Sequence, residues 1–135
     1  MPENIKAELP LSGIRVYEIG TSVAAPFGTW ILAAMGAEVI KVEPKGRGDD
    51  CRHWGPPFWN GTSAMFQALN RDKKSVTVDL KDPKDKAWLR NEMVNKADVV
   101  LQNMRPGKVA SLGLGAEEVC KENPRLIYCN IWAFG

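Results

Sequence analysis

The 135-residue chain is 44% apolar and 25% charged, ordinary for a globular domain, which excludes collagen-like, disordered and disulfide-scaffold classes. Eighteen Lys and Arg against sixteen Asp and Glu leave a net charge of only +2. So mixed a surface offers no single-sign field to hold nucleic acid non-specifically or to press the chain onto an anionic membrane.

Residues 1–12 are polar, contain Pro2 and Pro10, and read as an N-terminal arm ahead of a folded part spanning 13–135. Ile14–Ile19 is β-rich and stops at Gly20, which predicts a strand. Ala24 to Met35 is small and apolar on almost every side, with Pro26 in the first turn and Gly36 at the end. That pattern predicts a buried helix. Glu38–Glu43, closed by Pro44, predicts a second strand. Strand, helix and strand in this order make a βαβ unit, with parallel strands and a right-handed crossover.

Residues 44–62 are irregular, and a loop of that length inside a domain tends to be functional or mobile. Its Trp54, Phe58 and Trp59 are expected to be covered, because large aromatic side chains gain most from burial. Ser63–Leu69 predicts a short helix and Ser75–Val78 a third strand. Asp82 and Pro83 fit the N-cap and first position of a helix whose apolar stripe is Leu89, Met93, Val94 and Ala97. Asp98–Leu101 predicts a fourth strand buried on both faces. Gly115–Glu122 predicts a short helix ended by Asn123-Pro124, and Leu126–Ile131 a fifth strand. The succession predicts an α/β fold, a Rossmann-like open parallel sheet with flanking helices. The chain stops at Trp132–Gly135, just past a strand, where ligand-facing loops belong, so it reads as part of something larger.

Three cysteines (Cys51, Cys120, Cys129) form no Cys-x-x-Cys pair, and His53 is the sole histidine. Zinc ribbons, disulfide frameworks and His-rich sites lack their material, and no metal is expected. No stretch has signal-peptide or membrane-spanning pattern, so the expected compartment is cytoplasmic or an organelle matrix. Dinucleotide binding requires Gly-x-Gly-x-x-Gly after the first strand. Gly20-Thr21-Ser22-Val23-Ala24-Ala25-Pro26 offers one glycine and a proline without an amide donor, although Glu43 mimics the acidic ribose ligand. Gly46-Arg47-Gly48-Asp49 is either a phosphate cradle or a solvated turn. Lys41, Lys45, Arg47, Arg52, Lys73 and Lys74 are placed to share one rim that meets a ligand with several phosphates. Asn103-Met104-Arg105-Pro106-Gly107 either points an amide and a guanidinium into the crevice or makes a Pro-Gly turn. His53 reads as packed against Trp54, Cys51 as an ordinary reduced thiol, and Met65, Phe66, Trp88 and Met93 as core.

Leu11-Ser12-Gly13-Ile14-Arg15-Val16, Ala24-Ala25-Pro26, Leu32 through Pro44 and Gly48-Asp49 stand in an ordered series. It continues with Leu69 through Ser75, Ala97 through Gly107, Leu112-Gly113-Leu114, Asn123 through Tyr128 and Ala133-Phe134-Gly135. The series resembles the opening of a family III CoA-transferase, a family that includes formyl-CoA and carnitine CoA-transferases and α-methylacyl-CoA racemases. The resemblance implies a CoA-binding large domain, incomplete here, that a smaller domain and an interlaced second subunit complete as a homodimer. It implies acyl-CoA and a carboxylic acid as substrates. An aspartate carboxylate attacks the thioester to give a mixed anhydride and CoA thiolate. The thiolate returns to form an aspartyl-CoA thioester that passes CoA to the acceptor acid. That aspartate is expected beyond Gly135, since Asp49, Asp50, Asp72, Asp79, Asp82, Asp85 and Asp98 all lie elsewhere.

The resemblance also implies CoA contacts by the Ala24 backbone, beside a Val23 that stands where transferases carry glutamine, and by Lys45, nearest to an arginine position taken here by Pro44. Val78, Asp79, Leu80 and Lys81 match a stretch along the adenosine, and Asn103, Met104 and Arg105 one along the pantetheine and pyrophosphate. Ser111 replaces a basic or polar phosphate contact, and Trp132 stands where some members carry lysine. Two alternatives stay open: racemase-type transfer of the proton alpha to the thioester carbonyl, and a non-catalytic CoA-binding module.

Overall fold

The computed structural model describes residues 8–134. Residues 1–7 of the expected arm and the closing Gly135 lie outside the described residues. In chain order the elements are β1 (Arg15–Ile19), α1 (Ala24–Ala34), β2 (Glu38–Pro44), a 3-10 turn (Asp50–His53), β3 (Phe58–Trp59), β4 (Thr62–Ser63) and α2 (Ala64–Leu69). They continue with β5 (Lys74–Val78), α3 (Pro83–Asn95), β6 (Val99–Gln102), α4 (Lys108–Ser111), α5 (Ala116–Glu122) and β7 (Ile127–Asn130).

Five strands form one sheet in the order β5-β2-β1-β6-β7, with every neighbouring pair parallel. The chain builds outward from β1 in one direction and then in the other, so β1 and β6 flank the point where the order reverses. Ligand crevices of open α/β sheets lie there, beyond the strands' carboxyl ends. The expected Rossmann-like α/β architecture is what the structure shows. The pair β3 and β4 forms a separate antiparallel hairpin at the end of the segment expected to be irregular.

Side chains alternate across the sheet, so β1 sends Tyr17 and Ile19 to one face and Val16 and Glu18 to the other. On the first face Tyr17, Ile19, Val42, Val78 and Val100 pack with Leu89, Met93 and Val119 from α3 and α5. The Tyr17 hydroxyl donates to Glu92, and its burial beside that carboxylate pushes its pKa up. On the second face Val16 and Val39 pack with Ala33 and Ala37.

The fully buried residues of helix α1 on this face are Ala25, Pro26, Thr29 and Ala33, with Leu32 packed partly buried beside them. Such small side chains bring the helix backbone close to the sheet, while Phe27 and Ile31 point away. The helix expected to be buried is instead half exposed, with Phe27 and Ile31 and the flanking Val23 and Met35 in one solvent-facing row. Gly36 takes φ +103° where the helix ends, and its N–H bonds the Ala33 carbonyl. Phe66 and Met93 are core as expected, whereas Met65 and Trp88 are exposed. Trp54, at the end of the 3-10 turn, is exposed too, as are Phe58 and Trp59, which the β3–β4 hairpin holds off the sheet instead of folding them onto it. At the other edge β7 leaves Ile127 exposed. Among the described residues no helix is long and apolar enough to cross a membrane.

Candidate active site: a cleft at the strand ends

Beyond the carboxyl ends of β1, β2, β5 and β6 lies a cleft of about 460 Å³. That volume is ample for a sizeable organic ligand. Its apolar floor comes from Ile19, Val42, Val78, Leu80, Met104 and Leu112, and Lys45, Lys81 and Lys108 stand around it. Of the residues expected to touch CoA, the cleft brings together Lys45, Val78, Asp79, Leu80, Lys81 and Met104. The Asp79 side chain accepts from the Lys81 N–H at 2.9 Å, and the Asp79 N–H donates to Asp85 at 2.8 Å. That turn is thus fixed to the start of α3.

The remaining expected residues lie outside the lining. Ala24 is exposed at the first position of α1, and Arg105 is exposed in the turn before α4. Ser111 is exposed, and its hydroxyl donates to the Lys108 carbonyl at 2.7 Å. Asn103 is occupied structurally: its amide donates to the Thr21 carbonyl and accepts from the Thr21 N–H, each at 3.0 Å. Sequence reasoning missed Thr21, Lys108 and Leu112. Thr21 follows β1 and Lys108 follows the Pro-Gly turn after β6, positions that the strand-end rule alone would have flagged.

The predicted basic rim needs correction, since of its six members only Lys45 lines the cleft. Alternation along β2 turns Lys41 inward, where Nζ lies 2.6 Å from Glu18 and 2.8 Å from Asp49 Oδ2. The Asp49 contact falls outside hydrogen-bonding angles and is purely electrostatic. Lys73 pairs with Glu18 at 2.7 Å, and burial pulls its pKa down. Arg52 pairs with Glu43, Lys74 with Glu38, and Arg47 with Asp50. Three acids (Glu18, Glu43, Asp49) and three bases (Lys41, Arg52, Lys73) thus neutralise one another beneath α1 and α2. Glu43 is no ribose ligand, because Arg52, Ser75 and the Asp49 N–H take up its carboxylate. The Gly46–Asp49 segment is a turn folded against this cluster, with the Gly48 N–H on the Pro44 carbonyl.

Burial alone would raise the Glu43 carboxyl, but its hydrogen bonds from Arg52, Ser75 and Asp49 outweigh that and hold it at about 2, against an ordinary 4.5. A depressed native pKa means that its contribution to stability is complete above 4.5 and is lost as pH falls through 2. Urea midpoints measured down this range should fall, and Glu43→Gln should flatten the fall.

Cys51 is buried, and burial with the Asp49 charge pushes its thiol up, in line with an unreactive cysteine. His53 is exposed with Nε2 3.2 Å from the Arg47 carbonyl. Among the described residues no His, Cys, Asp or Glu trio is placed to hold a metal.

The model of CoA-transferase family III matches residues 11–135. The chain belongs to that family. It is 45% identical over 126 residues to the succinyl-CoA:glutarate CoA-transferase of Mus musculus, covering 93% of this chain and 29% of the relative. It is 45% identical over 130 residues to the acetyl-CoA:oxalate CoA-transferase of Acetobacter aceti, covering 96% of this chain and 33% of the relative. Among solved structures, a CAIB/BAIF family protein from Brucella suis matches with TM-score 0.85 at 39% identity, over 91% of this chain and 33% of that one. This family III chain therefore spans about a third of the length of the proteins it matches.

Proposed function

We propose that the cleft binds the CoA portion of an acyl-CoA in a protein that moves CoA to a free carboxylic acid. The observation that carries this reading is the cleft itself: an apolar floor flanked by three lysines, at the strand ends of a chain in this family. A pantetheine arm suits Ile19, Leu80, Met104 and Leu112, and phosphates suit the exposed ammonium groups of Lys45, Lys81 and Lys108. Arg105, exposed in the turn before α4, is a further partner for the pyrophosphate.

Group transfer runs through an aspartate outside these residues, so this chain supplies binding and not the nucleophile. The carboxylate attacks the thioester carbonyl, the carbon–sulfur bond breaks, and the thiolate returns to the aspartyl carbonyl while the donor acid leaves. The acceptor carboxylate then repeats the exchange in reverse. An interlaced homodimer and an acceptor of the dicarboxylate kind belong to the same reading.

Titration calorimetry of this chain with CoA tests the binding step directly. Single Lys45→Ala, Lys81→Ala and Lys108→Ala changes should each weaken binding roughly two- to five-fold, increasingly so at low salt. No CoA binding, or binding indifferent to all three, would refute the cleft assignment. In the full-length protein, CoA exchange between an acyl-CoA and an acid is expected. Alpha-proton exchange in heavy water without an acceptor would point instead to racemase chemistry.

A further inference from the structure

The turn Gly20–Ser22, which carries the chain from β1 toward α1, forms one wall of the cleft through Gly20 and Thr21. Side chains from three other places hold its backbone. Lys41 on β2 donates to the Gly20 carbonyl at 3.1 Å. Asn103 after β6 takes both the N–H and the carbonyl of Thr21. Asp49, 27 residues further along the chain, accepts from the Ser22 N–H at 3.0 Å. Ser22 sits at φ +67°, a left-handed conformation that a non-glycine residue keeps only where its surroundings hold it.

Asp49 is wholly buried, and its Oδ2 accepts no hydrogen bond, so that oxygen's compensation is the charge of Lys41 alone. Oδ1 takes the Ser22 and Cys51 N–H groups, and Oδ2 faces the Lys41 ammonium. Lys41 in turn grips the near end of the turn while Asp49 grips the far end. A carboxylate taken fully out of water is costly unless such partners surround it. The Cys51 bond only closes its own loop, whereas the Ser22 and Lys41 contacts bind that loop to the cleft wall.

We propose that Asp49 is a positioning residue for the cleft: with Lys41 it fixes the Gly20–Ser22 wall against which CoA binds. The inference rests on the CoA reading of the cleft and adds a residue that does not line it.

Asp49→Ala should weaken CoA binding by this chain about tenfold and speed amide exchange at Ser22 at least as much. Asp49→Asn, which keeps an acceptor for the Ser22 N–H, should restore most of both. Val119→Ala, in the α5 core away from the cleft, serves as the control for plain destabilisation. At a comparable loss of melting temperature it should leave the CoA dissociation constant of the folded chain unchanged. Unaltered CoA affinity in Asp49→Ala, or unaltered Ser22 exchange, would overturn the proposal even with the cleft assignment intact. A wild-type chain that fails to bind CoA would overturn the cleft assignment first and this proposal with it. Ser22 exchange in that case reports only the brace.

Discussion

Lys41→Met should cost about 3–5 kcal/mol, the largest loss expected of any single substitution here. The Lys41 ammonium is 1% exposed and serves two carboxylates, Glu18 and Asp49, both wholly buried. Methionine fills much the same volume but leaves those charges short of a partner in a poorly solvated place. Glu18 would retain Lys73 and the Thr29 hydroxyl, yet Asp49 would keep only backbone N–H groups. A domain of this size is stabilised by about 5–15 kcal/mol, so the variant should show a much reduced urea midpoint. Adding Asp49→Asn to Lys41→Met should recover part of the loss, because it removes one of the stranded charges. A Lys41→Met chain as stable as wild type would show the buried ion cluster to be energetically idle.

Gly20→Ala should be the second most damaging change, and it should strike stability and CoA binding together. A Cβ at residue 20 would lie 2.3 Å from Ala25 Cβ and 2.9 Å from Asn103 Oδ1. Neither neighbour is the end of a long flexible chain: Ala25 is packed against the sheet in α1, and Asn103 is tied to Thr21 at both ends of its amide. Relief requires shifting α1 or breaking the Thr21 brace, at about 3 kcal/mol. Displacement of the wall should also weaken CoA binding by more than tenfold. Gly28→Ala provides the contrast. Its Cβ would meet only Leu101 Cδ1, at an ordinary 3.5 Å, so the helix-propensity gain of up to about 1 kcal/mol should prevail. Thermal unfolding of the two variants side by side checks both signs.

The sheet was legible because each of its strands is short, β-rich and punctuated. Gly20, Gly36, Pro44 and the Asp82-Pro83 pair mark boundaries within a residue or two of those observed, and Asp82 caps α3 by accepting from the Lys84 N–H. The family was legible in the ordered blocks from Leu11 to Gly135, which coincide with the matched span. What escaped depends on partners distant in sequence. Lys41 and Lys73 read as cations free for phosphate, and only the folded register brings Glu18 and Asp49 to them. The β3–β4 hairpin has two residues per strand, too few for an alternation to declare itself. Helix α1 read as buried throughout because apolar composition does not say which side meets the sheet. The small residues Ala25, Thr29 and Ala33, spaced four apart, were the available cue.

The central place of β1 has a consequence for how the protein is made. Its first partner, β2, emerges soon after it, but its second, β6, begins 80 positions beyond Ile19, at Val99. At ribosomal rates of about 5–20 residues per second, that edge of Val16–Ile19 waits on the order of 4–16 s without its hydrogen-bonding neighbour. During translation the nascent polypeptide therefore carries a bare, apolar strand margin in what will become its middle. Such a margin is open to pairing with another nascent chain, and it is a place where a holding chaperone would act.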